Sequence, residues 1–299
     1  MDFIKDLVLI SKNILAGWDV NYSAAKSDWE IVQILANFQS KLIEQIPRNV
    51  VKSQKIEDGF ASYAETIKKG LLEIENKLRN GEDVNPHLSQ RLLRGKFTDL
   101  LLADWNIYHL HLSTEADKKR KYFMKGTRDV LFLTLSGNTA YFIDVRPHGM
   151  SEGNVFEQKN LLQTIANEWP WVLEPYRIKG AVGVEYEVND PQDIKELREA
   201  GISVIHKIGD AIYMPMGGGI TTASTPIKAT LESNRLYYLA KDAMKYVIDN
   251  RAEIDKLFSQ VKGYNRRNAR FHLQLGQRGF QIGEVSTQSA IHLEDLGLA

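Results

Sequence analysis

The pattern of apolar positions changes period twice along the chain. Behind Ser27 and Glu30, which fit a capping box, Trp29, Ile31, Val32, Ile34, Leu35, Phe38, Leu42 and Ile43 recur at helical spacing and predict a helix that stops before Pro47. Phe60, Tyr63, Ile67, Leu71, Ile74 and Leu78 form a second stripe, predicting a helix over 58–79 with Gly81 just past its end. The string HLSQRLLRGKFTDLLLA carries helical character on to residue 103. From Asn106 the period becomes two: NIYHLHLS alternates like a half-buried strand, DVLFLTL is apolar on both faces, and TAYFIDV is a third strand joined to it by the turn SGN. Residues 156–168 return to helix, and Pro170 with Pro175 marks a boundary.

The last third alternates again. GAVGVEYEV reads as a strand, Asp190 and Pro191 open a helix through Glu199, and ISVIHKIGDAIYMP gives two short strands about a Gly-Asp turn. GGGITTAST then leads into the longest helix, with Thr225 as cap, Pro226 at the first helical position and Gly263 past the end. ARFHLQLGQRGFQIGEV adds two more strands. The class is α+β: a helical region over 1–85, a small antiparallel-sheet domain over 86–170, and a C-terminal α/β region over 171–299 with a long helix.

Composition narrows the chemistry. With 299 residues, 43% of them apolar, there is material for one large domain or two ordinary ones. The absence of cysteine excludes a disulfide framework, a thiolate metal site and a cysteine nucleophile. Asp2, Lys5 and Asp6 interrupt the first apolar stretch, unlike a secretory signal, and no window reaches the roughly 18–20 apolar residues that span a bilayer. A cytoplasmic protein without membrane contact is the expectation. Basic and acidic side chains number 38 each, so no global field draws the molecule to nucleic acid. Charge is local instead. KKRKYFMKGTR over 118–128 and KGYNRRNARFH over 262–272 set aromatics between cations, a mixture that suits phosphates and bases as well as a solvated loop. Lys118, Lys119, Arg120, Lys121, Arg266 and Arg267, with Arg146, are the candidate nucleic-acid contacts.

Alternation on the first strand puts His109 and His111 on one face with Ile107 and Ser113, opposite Tyr108, Leu110 and Leu112. Asp144, Arg146 and His148 share a face of the third strand. If the apolar faces coincide, His109, His111, Arg128, Asp144 and His148 gather on one polar surface. Histidines that exchange protons near neutrality and an arginine that neutralises phosphate are a ribonuclease's groups. The same residues also read as an ordinary polar face, or as a metal site of much lower specificity than HExxH. The preferred reading needs neither metal nor cofactor.

The order LSQRLLRGKFTDLLLADWN, IYHLHLS, a basic stretch ending at Arg128, DVLFLTL, a tight turn and AYFIDVRPH resembles the core of the RelE and HigB toxin superfamily over residues 86–148. That resemblance implies a helical pair followed by an antiparallel sheet, and messenger-RNA cleavage. Arg128 matches the arginine that opens the apolar strand, and His148 the position closing the last one. His109 and His111 fall where the earlier strand carries polar residues. Such toxins are shorter and strongly basic, which this chain is not. The whole chain resembles bacterial proteins of mobile elements or phage defence. RNA is therefore the expected partner, with an antitoxin-like protein or a self-inhibitory segment as the protein counterpart.

A rival site is the loop MPMGGGITTAST, where Gly217, Gly218, Gly219, Thr221 and Thr222 precede a helix, a place for a phosphate-bearing ligand. Asp210 and Tyr213 are its expected neighbours, although the string lacks the P-loop lysine. A binding or regulatory protein using this loop is the alternative to the nuclease. Trp105, Trp169, Trp171 and His206 read as core residues, and Glu185, Glu187 and Asp190 as a solvated acidic patch.

Overall fold

The structure, a computed structural model, describes residues 1–147, 155–180, 196–197, 200, 202 and 204–298. Its elements in chain order are α1 (Phe3–Gly17), α2 (Asp28–Gln39), β1 (Asn49–Lys52), α3 (Gln54–Gly59), α4 (Glu65–Asn80), α5 (Leu100–Trp105) and β2 (Ile107–His111). They continue as β3 (Asp129–Ser136), β4 (Thr139–Pro147), α6 (Val155–Glu168), α7 (Pro170–Leu173), β5 (His206–Ile208) and β6 (Ala211–Tyr213). The chain ends with α8 (Ile227–Asp249), α9 (Arg251–Phe258), β7 (Phe271–Gly276), β8 (Gly279–Glu284) and β9 (Ser289–His292). The class is α+β, as the pattern predicts. The strand and helix expected over 180–199, and with them Glu185, Glu187 and Asp190, lie outside the described residues, apart from Gly180, Glu196 and Leu197.

Two compact units cut across the three consecutive regions read from the pattern. The first unit joins Met1–Phe38, Leu93–Lys96 and Ala229–Ala299; the second comprises Gln39–Leu92 and Phe97–Lys228. In the first, α1 buries Phe3, Leu7 and Leu15, and the Asp6 carboxylate accepts the Leu273 N–H of β7 at 2.9 Å. Phe258 of α9 packs on Phe271 with ring centroids 5.3 Å apart. The tail holds three strands, β7–β8–β9, one more than the alternation predicts. The capping box at α2 is present: Ser27 Oγ accepts the Glu30 N–H at 3.2 Å, and Glu30 Oε2 reaches back to the Lys26 N–H at 2.9 Å.

The second unit is built on a four-stranded sheet of order β1–β4–β3–β2. The β2–β3–β4 meander forms as predicted, and β1, a strand too short to stand out in the sequence, pairs parallel to β4. One face carries Ile107, Val130, Phe132, Tyr141 and Ile143 into a core with α5, α6, α7 and the β5–β6 hairpin. Across the other face runs α4. Its Arg79 donates to the Val50 carbonyl of β1 at 3.2 Å, and its Gly70 lies against the backbone beyond the end of β2, the opposite edge strand. Leu110, Leu131, Leu133 and Phe142 are fully buried.

The stripe over 58–79 is split into α3, a single 3-10 turn and α4, because Tyr63 and Ala64 adopt extended backbone. Gly81 then ends α4 in the left-handed region, as expected. The string over 87–103 forms two 3-10 turns and only a short α5. Pro170 does not mark a boundary; it opens α7 inside the core, where Trp169 and Leu173 are buried. Trp105 is buried too, but Trp171 is 61% exposed, its indole N–H donating to the Tyr141 hydroxyl at 3.1 Å.

At Gly70 a β carbon would lie 2.1 Å from the Leu112 carbonyl oxygen. Alanine there gains about 1 kcal/mol in helix propensity but forces two backbones apart, at a cost of about 1–3 kcal/mol. Gly70→Ala is therefore expected to lower the urea midpoint; an unchanged or higher midpoint would show that α4 does not approach β2 so closely.

Candidate functional site

The face expected to be polar carries an apolar core. His109 stands in register with Phe132, their rings 6.4 Å apart, and is only 7% exposed. Its Nδ1 lies 3.4 Å from the carboxylate of Asp99, which also caps α5 by accepting the Leu102 N–H at 3.1 Å. Beside this pair Lys41, 5% exposed, donates to the Phe97 carbonyl at 2.7 Å, and burial, partly opposed by Asp99, pulls its ammonium down to a pKa of about 8. Burial likewise pushes the Tyr108 phenol up to about 12. The cavity lined by these groups measures about 20 Å³, room for one water molecule.

Asp144 belongs to a different cluster. The register of β3 on β4 slips between Phe132 and Leu133, leaving Asp144 opposite Phe132, with the phenyl ring between it and His109 in the strand order. Only 1% exposed, the carboxylate accepts from Lys55 Nζ of α3 at 2.6 Å, from the Val145 N–H at 2.8 Å and from Arg146 Nε. Burial and the negative charge of Asp144 together raise the pKa of the nearby Tyr63. His148 lies outside the described residues. The described members of the expected centre thus do not converge: His109 and Asp144 are sealed into separate buried networks.

His111 and Arg128 remain at the edge. They flank the excursion 112–128 between β2 and β3, which is ordered by its own bonds. Asp117 Oδ1 accepts the N–H groups of Lys119 and Arg120, each at 2.9 Å, and these bonds hold its carboxyl below the ordinary range. Phe123 is buried as an anchor, the Met124 N–H donates to the Pro86 carbonyl at 2.7 Å, and the Tyr122 hydroxyl donates to Asp83 at 2.7 Å. Lys118, Lys119, Arg120, Lys121 and Arg128 are all exposed, and among the described residues none of them forms an ion pair. His111 is half-buried at the base of the hairpin. Its Nδ1 accepts the Thr127 N–H at 3.0 Å, so the neutral ring carries its proton on Nε2.

The second basic run behaves differently. In the first unit Arg266 Nε lies 2.7 Å from Asp255, which also takes Arg251 at 2.9 Å and the Tyr264 hydroxyl; Arg267 is exposed. Nor is the glycine loop an open anion cradle. The Gly217 and Gly219 amides donate to the carbonyls of Asp104 and Ala103, Gly218 to Pro215, Thr221 to Thr225 and Ile227 to Gly219. Thr221 and Thr225 bond each other at 2.7 Å, Thr222 is exposed, and a β carbon on Gly217 would lie 2.0 Å from the Ala103 oxygen. These glycines let the loop press on the end of α5. Pro226 sits just ahead of α8, which ends at Asp249 and is followed by α9, so Gly263 closes no single long helix. His206 is buried with its ring 5.1 Å from Trp105, the structural role the alternation suggested.

Sequence reasoning missed Asp99, Lys41, Lys55 and His87. For Asp99 a signal was present: an Asp just before LLLA is an N-cap signature. No group of three or more His, Asp or Glu suited to a metal ion is found among the described residues, and no helix among them is long and apolar enough to cross a membrane. The fold and the site define an α+β protein with an ordered basic hairpin on a doubly covered sheet. Comparison with protein-family models, with curated proteins and with solved structures finds no match.

His87 connects this hairpin end to α4. Fully buried, its Nδ1 bonds the His111 carbonyl at 2.9 Å, while Nε2 faces Lys77 Nζ at 3.4 Å. Burial lowers its pKa, and Lys77 adds to that against the opposing pull of the His111 carbonyl and Glu73. The unfolded chain takes up this proton near pH 6.5, the folded protein only at lower pH. Stability is therefore complete above about pH 6.5 and lost as pH falls toward the folded value. The urea midpoint of the native protein should drop between pH 7 and 5.5 and that of His87→Gln should drop less; parallel curves would remove His87 from this role.

Proposed function

We propose that the second unit is a nucleic-acid-directed module, a toxin-like or phage-defence endoribonuclease that works without metal. The exposed basic hairpin is the observation that carries this reading. Four consecutive cations at 118–121, with Arg128 at the return, are held outward by a buried Phe123, so the order of the loop is established before a ligand arrives. In this reading Lys118, Lys119, Arg120 and Lys121 neutralise successive phosphates of single-stranded RNA, and Arg128 binds the phosphate at the scissile bond. His111, its Nδ1 occupied by the Thr127 N–H, keeps its Nε2 proton and donates a hydrogen bond from it to a non-bridging oxygen of that phosphate; the attacking 2′-hydroxyl gives its proton to solvent water and the 5′ oxygen leaves with a proton taken from water. The chain order of helical turns, β2, basic excursion, β3, tight turn and β4 agrees with the RelE and HigB resemblance. His109, closed in with Asp99, serves the fold of β2 rather than the reaction.

Binding and cleavage separate in the test. Fluorescence anisotropy with labelled single-stranded RNA should show affinity falling with salt, and alanine at 118–121 together should flatten that slope by about 0.7 per phosphate contact removed. His111→Asn is expected to keep the binding and lose cleavage. RNA affinity that is indifferent to the four substitutions would discard the interface, and full cleavage by His111→Asn would discard the Nε2–H contact to the scissile phosphate.

A further inference from the structure

The first unit contains a partly open pocket of about 380 Å³ lined by three helices, each contributing residues one turn apart: Ile4, Leu7 and Val8 of α1, Asp28, Trp29 and Val32 of α2, and Asn234, Tyr237 and Tyr238 of α8. Its volume is that of a small-molecule site. Leu7, Val8 and Val32 are buried at its floor. The walls are aromatic and set at right angles. Trp29 meets Tyr237 at 81° with centroids 5.5 Å apart, and Tyr237 meets Tyr238 at 79° with centroids 5.6 Å apart.

One full charge belongs to the lining, the carboxylate of Asp28. Its partner Lys12 lies 3.5 Å away, and the pair is exposed on both sides, so it is weak and easily exchanged. Perpendicular aromatic faces offer negative potential to a cation that sheds water readily, and a carboxylate at their rim adds the counter-charge. Ammonium heads clothed in methyl groups fit both the apolar floor and the aromatic walls; a bare ammonium or an anion fits neither. The partial positive charge at the start of α2 works against a cation, but it amounts to about half an elementary charge against the full charge of Asp28.

We propose that this pocket binds a small free organic cation with a quaternary or methylated ammonium head. Trp29, Tyr237 and Tyr238 hold the head, Asp28 balances its charge, and Asn234 meets a polar substituent. The assignment is independent of the nucleic-acid reading of the second unit.

Calorimetric titration of the full chain with choline, and with its neutral isostere 3,3-dimethylbutanol, isolates the role of charge at constant shape. Choline should bind at least about tenfold more tightly than the alcohol. Asp28→Asn, at an exposed position, should weaken choline about fivefold or more and leave the alcohol unaffected; Tyr238→Leu, which keeps an apolar wall, should also weaken choline selectively. Equal binding of choline and the alcohol, or no choline binding at tens of millimolar, about the limit for a weak site, would overturn the proposal. A short peptide carrying trimethyllysine is the third probe: tighter binding of the peptide than of choline would overturn the assignment to a free molecule.

Discussion

The central strand β3 is covered on both faces, and this constraint decides where polar chemistry can sit in the second unit. Val130, Leu131, Phe132 and Leu133 alternate between the two sides and are all buried. A polar side chain on β3 or on its neighbours enters the same interior and costs about 1–3 kcal/mol if left without a partner. Each one therefore has a partner of its own. Thr134 Oγ1 donates to the Asn106 carbonyl at 2.9 Å, Asp144 takes Lys55 and Arg146, and His109 faces Asp99. These arrangements are what a doubly covered sheet demands of polar residues, and they use up the groups that would otherwise look catalytic.

Groups left for solvent must lie where the sheet ends, and the excursion over 112–128 between β2 and β3 is such a departure. Its charge differs in kind from that of the run over 262–272. There Asp255 neutralises Arg251 and Arg266, so much of the positive charge is already spent within the first unit. On the hairpin the acidic groups are turned to other tasks: Asp117 binds backbone amides, Asp83 accepts from Tyr122, and only Glu115 meets a cation, Lys125, at 3.4 Å. A chain of zero net charge can thus present one locally positive surface, because a field reaching about 8–10 Å in physiological salt depends on nearby charges rather than on the sum.

Local signals in the sequence were read correctly where one interaction sets the geometry. The Gly-Asn turn of β3–β4, the Gly-Asp turn of β5–β6, the left-handed Gly81 and the Ser27 box all formed where residue type requires them. Alternation also placed His109 and His111 on a common face. What alternation does not carry is which face another element covers, and α5, α6 and α7 close over the one with the histidines. Nor does period two survive a register slip: the irregularity at Phe132 and Leu133 sets Asp144 opposite Phe132 after Ile143 has already pointed into the core. The four residues of β1 gave no periodic signal, since their place depends on the β4 edge rather than on their own pattern. Trp171 was assigned to the core by residue type alone, yet α7 is a single turn and buries Val172 and Leu173 instead.

The interleaving of the two units has a consequence for how the chain reaches this structure. Most pairing in the second unit is local: β3 and β4 are joined by a two-residue turn, and β5 and β6 likewise. The first unit instead needs Asp6 to meet Leu273, 267 residues away in sequence. Loop-closure entropy rises only with the logarithm of length, about 0.6 kcal/mol per doubling, so the long separation is tolerable at equilibrium but slow to form from an open chain. Prior folding of residues 39–92 with 97–228 draws most of that separation into a compact body and shortens the effective loop. Folding in that order also covers β3 early, before its unpaired apolar surface can meet another chain.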